Sequence, residues 1–257
     1  MGIETAVSST TYQPTTSRNQ CETCILRLDC FIARFLHNQD GGKDQIIRNK
    51  RSIQQGEFLF ESGNKSESIY IVKIGAIKTV KLCPRGTETV LAHHFPGDIV
   101  GAASINRGHH HLSAQALSDT RVCELSWTQL TQNTPYGLEL SLRISELIST
   151  EVNHGYERII VMSKKHPSAK VAHFIVSHSK RMEKLGLSPT EFHFPISISE
   201  LATYLGLARE TVSRQLSALK ERGVIEINGK TIKINSRKKL SEISDDHPST
   251  PPHHASV

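Results

Sequence analysis

The stretch SISELATYLGLARETVSRQLSALKERGVIEINGKTIKI, residues 197–234, constrains the fold more than any other. Ser199 stands as a helix N-cap before ELATYL, and Gly206 supplies the left-handed residue that ends such a helix. A second helix starts near Arg209 and repeats Val212, Leu216 and Leu219 at spacings of four and three, which sets one apolar face inward. Its other face carries Arg209, Glu210, Ser213, Arg214 and Gln215. Two alternating strands follow, with Asn228-Gly229 as the expected hairpin turn and Lys230 and Lys233 on the resulting wing. Helix, short glycine turn, helix and hairpin make a winged helix-turn-helix, whose second helix enters the major groove of DNA. Arginine can bridge guanine O6 and N7, glutamate can accept from a cytosine amino group, and serine can reach base or phosphate. The candidate DNA contacts are therefore Arg209, Glu210, Thr211, Ser213 and Arg214, with Ser199 and Lys230 beside them.

Charge points the same way. Residues 163–240 hold 15 Lys/Arg against 6 Asp/Glu, an excess of nine, while the rest of the chain is net −3. A polyanionic partner is expected at that third of the molecule.

Upstream, between about 44 and 128, short β-branched and aromatic runs alternate with turn signals at Gly63-Asn64, Gly75, Pro84-Arg85-Gly86 and Pro96-Gly97-Asp98. Roughly ten-residue spacing of this kind reads as an antiparallel sandwich or jelly roll. From Tyr136 to Met162 proline is absent and apolar residues take helical spacing. One seam, Ile148, Val152, Gly155, Ile159 and Met162, has the four-three alternation of a coiled coil and is expected to face a second copy of the chain. A second row, Leu140, Ile144 and Leu147, is placed to pack back on the sandwich. The expected class is α+β: a tail over 1–19, a cysteine-bearing segment and sensor domain over 20–132, a dimerisation helix over 133–163, a DNA-binding domain over 164–240 and a second tail over 241–257. Both tails read as disordered.

The opening twenty residues lack the apolar core of a secretory signal, and no run approaches the ~18 apolar residues that a membrane span needs. A cytoplasmic site with reduced thiols is expected, so the five cysteines read as ligands, reactive thiols or core residues. Cys21, Cys24 and Cys30 are spaced two and then five apart in QCETCILRLDC. On the residues alone this spacing serves an iron–sulfur cluster, zinc or a thiol switch. Cys83 reads as a buried strand thiol. His109-His110-His111 and His93-His94 alternate direction along the backbone and are not expected to converge on one ion. Signatures of phosphate-cradling loops, nucleophile elbows and zinc-protease helices are missing, which argues against an enzyme.

The order sandwich, long helix, winged helix-turn-helix resembles the catabolite-activator/FNR superfamily of bacterial transcription regulators. LATYLGLARETVSR carries most of the likeness, with support from GDIVG and SKKHPSAKVAHFIVSHSKR. The resemblance implies a β-roll of the cyclic-nucleotide-binding type, a homodimer on an inverted repeat, activation or repression of transcription, and RNA polymerase as a partner. In members that bind cyclic AMP, a glutamate and an arginine hold ribose and phosphate; Ala102 and Leu112 stand there, with only Ser113 retained. Cyclic AMP is therefore not the expected ligand. The FNR branch places three N-terminal cysteines at the spacing seen here and a fourth in the β-roll, where Cys123 stands. That likeness implies one oxygen-labile [4Fe–4S] cluster per subunit on Cys21, Cys24, Cys30 and Cys123, promoting dimerisation and anaerobic gene control. Asp29 before Cys30 departs from the usual apolar residue and would alter the cluster's tuning. Glu210, Ser213 and Arg214 match the FNR reading set for TTGAT half-sites, whereas Arg209 resembles the catabolite-activator branch, which reads TGTGA. A cluster-free regulator of the same fold, sensing a small molecule or thiol oxidation, is the rival reading.

Overall fold

The structure, a computed structural model, describes Cys24, Leu26 and residues 47–82, 88–128 and 137–245. Cys21, Asp29, Cys30, Cys83, the tail 1–19 and residues 246–257 lie outside the described residues, as does the side chain of Leu140.

Eight described short strands build the expected sensor domain: β1 (Ile47–Ile53), β2 (Phe58–Phe60), β3 (Ser68–Ile74), β4 (Ile77–Leu82), β5 (Glu88–His94), β6 (Ile99–Val100), β7 (Ser113–Ala116) and β8 (Thr120–Ser126). They pair antiparallel into two four-stranded sheets, ordered β1-β8-β3-β6 and β2-β7-β4-β5. Alternation along each strand sends Ile53, Leu59, Phe60, Tyr70, Val72, Ile77, Val100 and Val122 into one buried cluster. On the first sheet a second apolar cluster holds Ile69, Ile71, Ile99 and Leu125. An alternating strand buries one face; two apolar faces on β3 and β8 require a cover on each side.

Helix α1 (Gly137–Ser163) supplies that second cover, packing Ile144 and Leu147 against Ile69, Ile71, Ile99 and Leu125. Val161 is buried in the core it shares with the C-terminal domain, whereas Ile148, Val152, Tyr156, Ile159, Ile160 and Met162 are exposed. The second row expected from the sequence thus packs on the sandwich at Ile144 and Leu147. The seam Ile148, Val152 and Ile159, with exposed Gly155 on it, is left uncovered among the described residues.

The C-terminal domain follows as α2 (Pro167–Lys184), β9 (Glu191–His193), α3 (Ile198–Leu205), α4 (Arg209–Glu221), β10 (Ile225–Asn228), β11 (Thr231–Ile234) and α5 (Arg237–Ser244). Proline in the first turn of α2 places its fixed φ where no amide hydrogen bond is lost. Val171, Ile175, Leu201, Leu205, Val212, Leu216, Leu219 and Ile225 form one core, which also takes in Ala76, Phe95 and Leu117 of the sensor domain. The two domains therefore share buried apolar surface. Helix α5 revises the expectation of disorder from 241: Ser236 caps it, accepting from Lys239 N at 3.3 Å, and Leu240 anchors it to the core. No described helix is long and apolar enough to cross a membrane.

The turn between β3 and β4 shows how tightly the roll is closed. Gly75 sits at φ 89°, and a Cβ there would stand 2.4 Å from Thr120 Oγ1 and 2.6 Å from the Asp119 carbonyl. Thr120 Oγ1 also accepts from Ala76 N at 3.2 Å, so it cannot retreat without losing that bond. Gly75→Ala combines positive φ with backbone overlap and should cost at least about 2 kcal/mol. A lower urea midpoint at unchanged slope is the expected readout.

Candidate functional site

The recognition element is built by burial on one side and left open on the other. Val212, Leu216 and Leu219 of α4 are buried, while Arg209, Glu210, Ser213 and Arg214 are exposed and Thr211 is half-buried. Gly206 takes φ 62°, ψ 39°, and the Leu207 N–H reaches back to Ala202 O at 3.0 Å, which closes α3 and turns the chain into α4. Ala208 precedes α4 without a side-chain cap. Arg214 Nη2 donates to Thr211 Oγ1 at 3.4 Å, inclining the guanidinium toward the N-terminal end of the helix. That end is the part of a recognition helix that reaches base edges.

Two details of the sequence reading shift. The cap of α3 is Ser197, whose Oγ accepts from Glu200 N at 3.1 Å; Ser199 is exposed within the first turn, its carbonyl accepting from Thr203 Oγ1 at 3.0 Å. The pattern S-x-S-E offers two cap candidates, and the helix starts one residue after the first. The wing is also displaced by one residue: Asn228 pairs with Thr231, so the hairpin loop is Gly229-Lys230. Gly229 takes φ 59°, and exposed Lys230 stands in the tip itself. Strand β11 pairs on its other edge with β9, making a three-stranded wing in the order β10-β11-β9.

In the sensor domain, Ala102 opens a 3₁₀ turn (Ala102–Arg107) whose entry, Gly101, has φ 92°. Beside it His110 stacks on Phe60, ring centroids 3.6 Å apart, and burial pushes its pKa down to about 4. The next two imidazoles diverge from it: His111 Nδ1 pairs with Ser104 Oγ at 2.9 Å, and His109 is exposed. Ser113 Oγ accepts from Ser62 N at 3.0 Å. Leu112 is half-buried, so the cassette holds aliphatic side chains at 102 and 112.

Cys123 lies on β8, half-buried, and packs with Ile105, Trp127, Ile144 and Leu147 around the second apolar cluster. Cys24 is half-buried and Leu26 fully buried. The other two cysteines of the expected set lie outside the described residues. Among the described residues no group of three or more His, Cys, Asp and Glu is gathered as a metal site.

Compared with known proteins, residues 50–133 match the cyclic nucleotide-binding domain and residues 169–243 match the Crp-like helix-turn-helix domain. The fumarate and nitrate reduction regulatory protein of Escherichia coli K12 is 31% identical over 224 residues, covering 87% of this chain and 90% of the relative. The chain belongs to the Crp/FNR family of transcription regulators. FixK2 of Bradyrhizobium japonicum superposes with a TM-score of 0.68 at 26% identity, covering 79% of this chain and 98% of FixK2. A CooA mutant from Carboxydothermus hydrogenoformans shares the fold, with a TM-score of 0.64 at 20% identity over 84% of this chain and 96% of that one. Crp/FNR regulators bind DNA and act as dimers, and they are not enzymes.

Membership explains why a β-roll sits upstream of a DNA-reading helix. The capping geometry gives a direct check on that helix's support. Ser197→Ala should cost about 1 kcal/mol of stability, whereas Ser199→Ala should change it by no more than a few tenths. Chemical denaturation of the two variants side by side separates them.

Proposed function

We propose that this Crp/FNR regulator is of the FNR type, sensing oxygen or redox state through a [4Fe–4S] cluster held by Cys21, Cys24, Cys30 and Cys123. The observation carrying this reading is the setting of Cys123, in the same apolar cluster as Ile144 and Leu147 of α1. Thiolates are the donors such a cluster needs, and an apolar surround restricts solvent access to it. The group, when bound, would supply an iron–sulfide core that oxygen can oxidise, held by the four thiolates. The chain's own part is mechanical. A segment tied to β8 at Cys123 braces the sheet face on which α1 rests. Helix α1 then presents Ile148, Val152, Gly155, Ile159 and Met162 to a second copy. Pairing through that seam sets two recognition helices about 34–36 Å apart, the spacing of inverted half-sites.

On the DNA, Arg209, Glu210, Ser213 and Arg214 read base edges, while Lys230 in the wing and the uncapped first turn of α4 meet phosphates. Cyclic AMP fits poorly, because Ala102 and Leu112 offer neither an acceptor for ribose nor a cation for phosphate. The protein acts in the cytoplasm, with RNA polymerase as its partner at promoters, and controls genes of anaerobic growth by activating or repressing them.

Purification without air tests the sensor. A brown protein with about four iron and four sulfide per chain, bleached by air and falling from dimer to monomer in sedimentation, is expected. Cys123→Ser should be colourless and monomeric. A colourless zinc protein, or equal dimerisation with and without iron, would sink the reading in favour of a cluster-free regulator. Base reading is tested by Arg209→Ala on TTGAT and TGTGA half-sites. A base contact predicts a shift in preference worth about 1–3 kcal/mol; equal weakening on both would assign Arg209 to phosphate.

A further inference from the structure

Between the sensor domain and the DNA-binding domain lie two imidazoles that neither domain's fold accounts for. His93, on β5, stacks on Tyr204 of α3 with ring centroids 4.6 Å apart and meets Phe174 of α2 edge-on at 6.3 Å. His178, on α2, meets Phe95 of the sensor domain at 4.7 Å and, within its own domain, Phe192 at 4.8 Å and Phe194 at 5.7 Å. Each domain thus sets one histidine against an aromatic ring of the other. Both rings are buried, at 8% and 5% exposure, and among the described residues neither Nδ1 nor Nε2 of either has a hydrogen-bond partner. A neutral imidazole tolerates such a setting; an imidazolium stripped of water and partners does not.

The groups facing the rings reinforce this. His93 looks onto His94, Arg158 and Lys78, all cations or latent cations. Arg158 Nη1 donates to Leu91 O at 3.1 Å, and its guanidinium lies 4.6 Å from the centre of the Tyr204 ring, so it belongs to the same junction. His178 looks onto Arg181 and onto Asp98, whose charge Arg181 already takes up. His154 of α1 accepts a hydrogen bond from Arg181 Nη2 at 3.2 Å through Nε2, which only the neutral ring can do.

We infer that His93 and His178 form a proton-operated latch that holds the helix-turn-helix domain against the sensor domain when neutral and releases it when protonated. Release frees α3, and with it the recognition helix, from the β4–β5 face. The proton is then a second input to the regulator, independent of any cluster.

Burial, first, and the neighbouring cations, second, lower His93 from 6.5 to about 3; burial and Arg181 bring His178 to about 3. Undocking returns water to both rings, which moves them back toward the ordinary value of 6.5 and lets them bind protons that the docked state refuses. Docking is therefore at full strength above pH 6.5 and is lost as pH falls below it toward 3. His154, also lowered by burial, acts in the same sense. Glu151 acts in the opposite sense: burial and Asp98 raise its carboxyl to about 7, so the docked state gains a proton there.

Hydrogen exchange on the full-length protein, kept free of air and corrected for intrinsic rates, reads the latch at pH 7.5 and 5.5. Peptides covering 88–98, 174–182 and 200–206 should exchange faster at pH 5.5, by about tenfold for each imidazole released. Peptides within β3 and β8 should hold their protection. In Glu151→Gln, which removes the opposing proton, the acceleration should be larger. His93→Phe and His178→Phe keep the ring contacts and should each remove about tenfold of the response, their double variant keeping only the opposed contributions of His154 and Glu151. Equal protection at both pH values, a pH response unchanged by the phenylalanine variants, or loss of protection spreading to β3 and β8 would overturn the latch.

Discussion

The carboxylate of Asp98 ties the molecule together. One oxygen accepts from the Phe95 amide at 2.9 Å and so fixes the turn between β5 and β6. The other takes the Arg181 guanidinium of α2, and Arg181 in turn donates to His154 of α1. A single buried acid therefore joins the β-sandwich, the long helix α1 and the DNA-binding domain. With Asp98 at 6% side-chain exposure and Arg181 at 21%, solvent screening is limited. The pair's net stabilisation is modest once desolvation is counted, but an unpaired Asp98 would be costly, about 3–5 kcal/mol. The interaction serves geometry more than stability: it allows few relative positions of the three parts.

Around that acid, polar and aromatic contacts extend the junction along the β4–β5 face. Lys78 reaches Glu88 within the sensor domain at 2.5 Å and Glu200 of α3 at 3.3 Å. A Cβ added at Gly206 would stand 2.8 Å from Met162 Cε, so the last turn of α1 closes over the turn of the helix-turn-helix. Met162 belongs to the expected seam by its spacing, and its methyl end rests on the turn of the DNA-binding domain. Helix α1 therefore touches the sensor sheet through Ile144 and Leu147, and the helix-turn-helix through Met162 and Arg158. Any shift of α1 acts on both.

What the sequence disclosed follows from which forces are local. The helix-turn-helix was legible because Val212, Leu216 and Leu219 encode one face by period, and Gly206 encodes the turn by φ. The sandwich was legible in outline, since β-branched runs and turn glycines recur. Single-residue placements were not: Ser197 and Ser199 are equivalent by type, and Asn228-Gly229 differs from Gly229-Lys230 only in strand register. Helix α5 escaped because RKKLSEIS is polar on most of its surface; Ser236 at its start was the available signal. His93 and His178 carried no signal of their role at all. Their setting arises from rings that lie far apart along the chain.

The contrast between the two faces of α1 gives the coupling its direction. Toward the sandwich, Ile144 and Leu147 pack into a cluster that holds one of the expected ligands, Cys123. Away from it, Val152 and Ile159 gain only if a second chain covers them. Burial there is worth about 1.5–3 kcal/mol for each large side chain fully covered, so a few residues suffice to set a dimer near its threshold. A helix held near such a threshold would respond to small changes at its inner face. The junction at Asp98 and Arg181 applies the same logic at its far end, where the pose of the recognition helix is decided. Dimerisation and domain docking would thus act on one helix, so that a change in either is felt by the other.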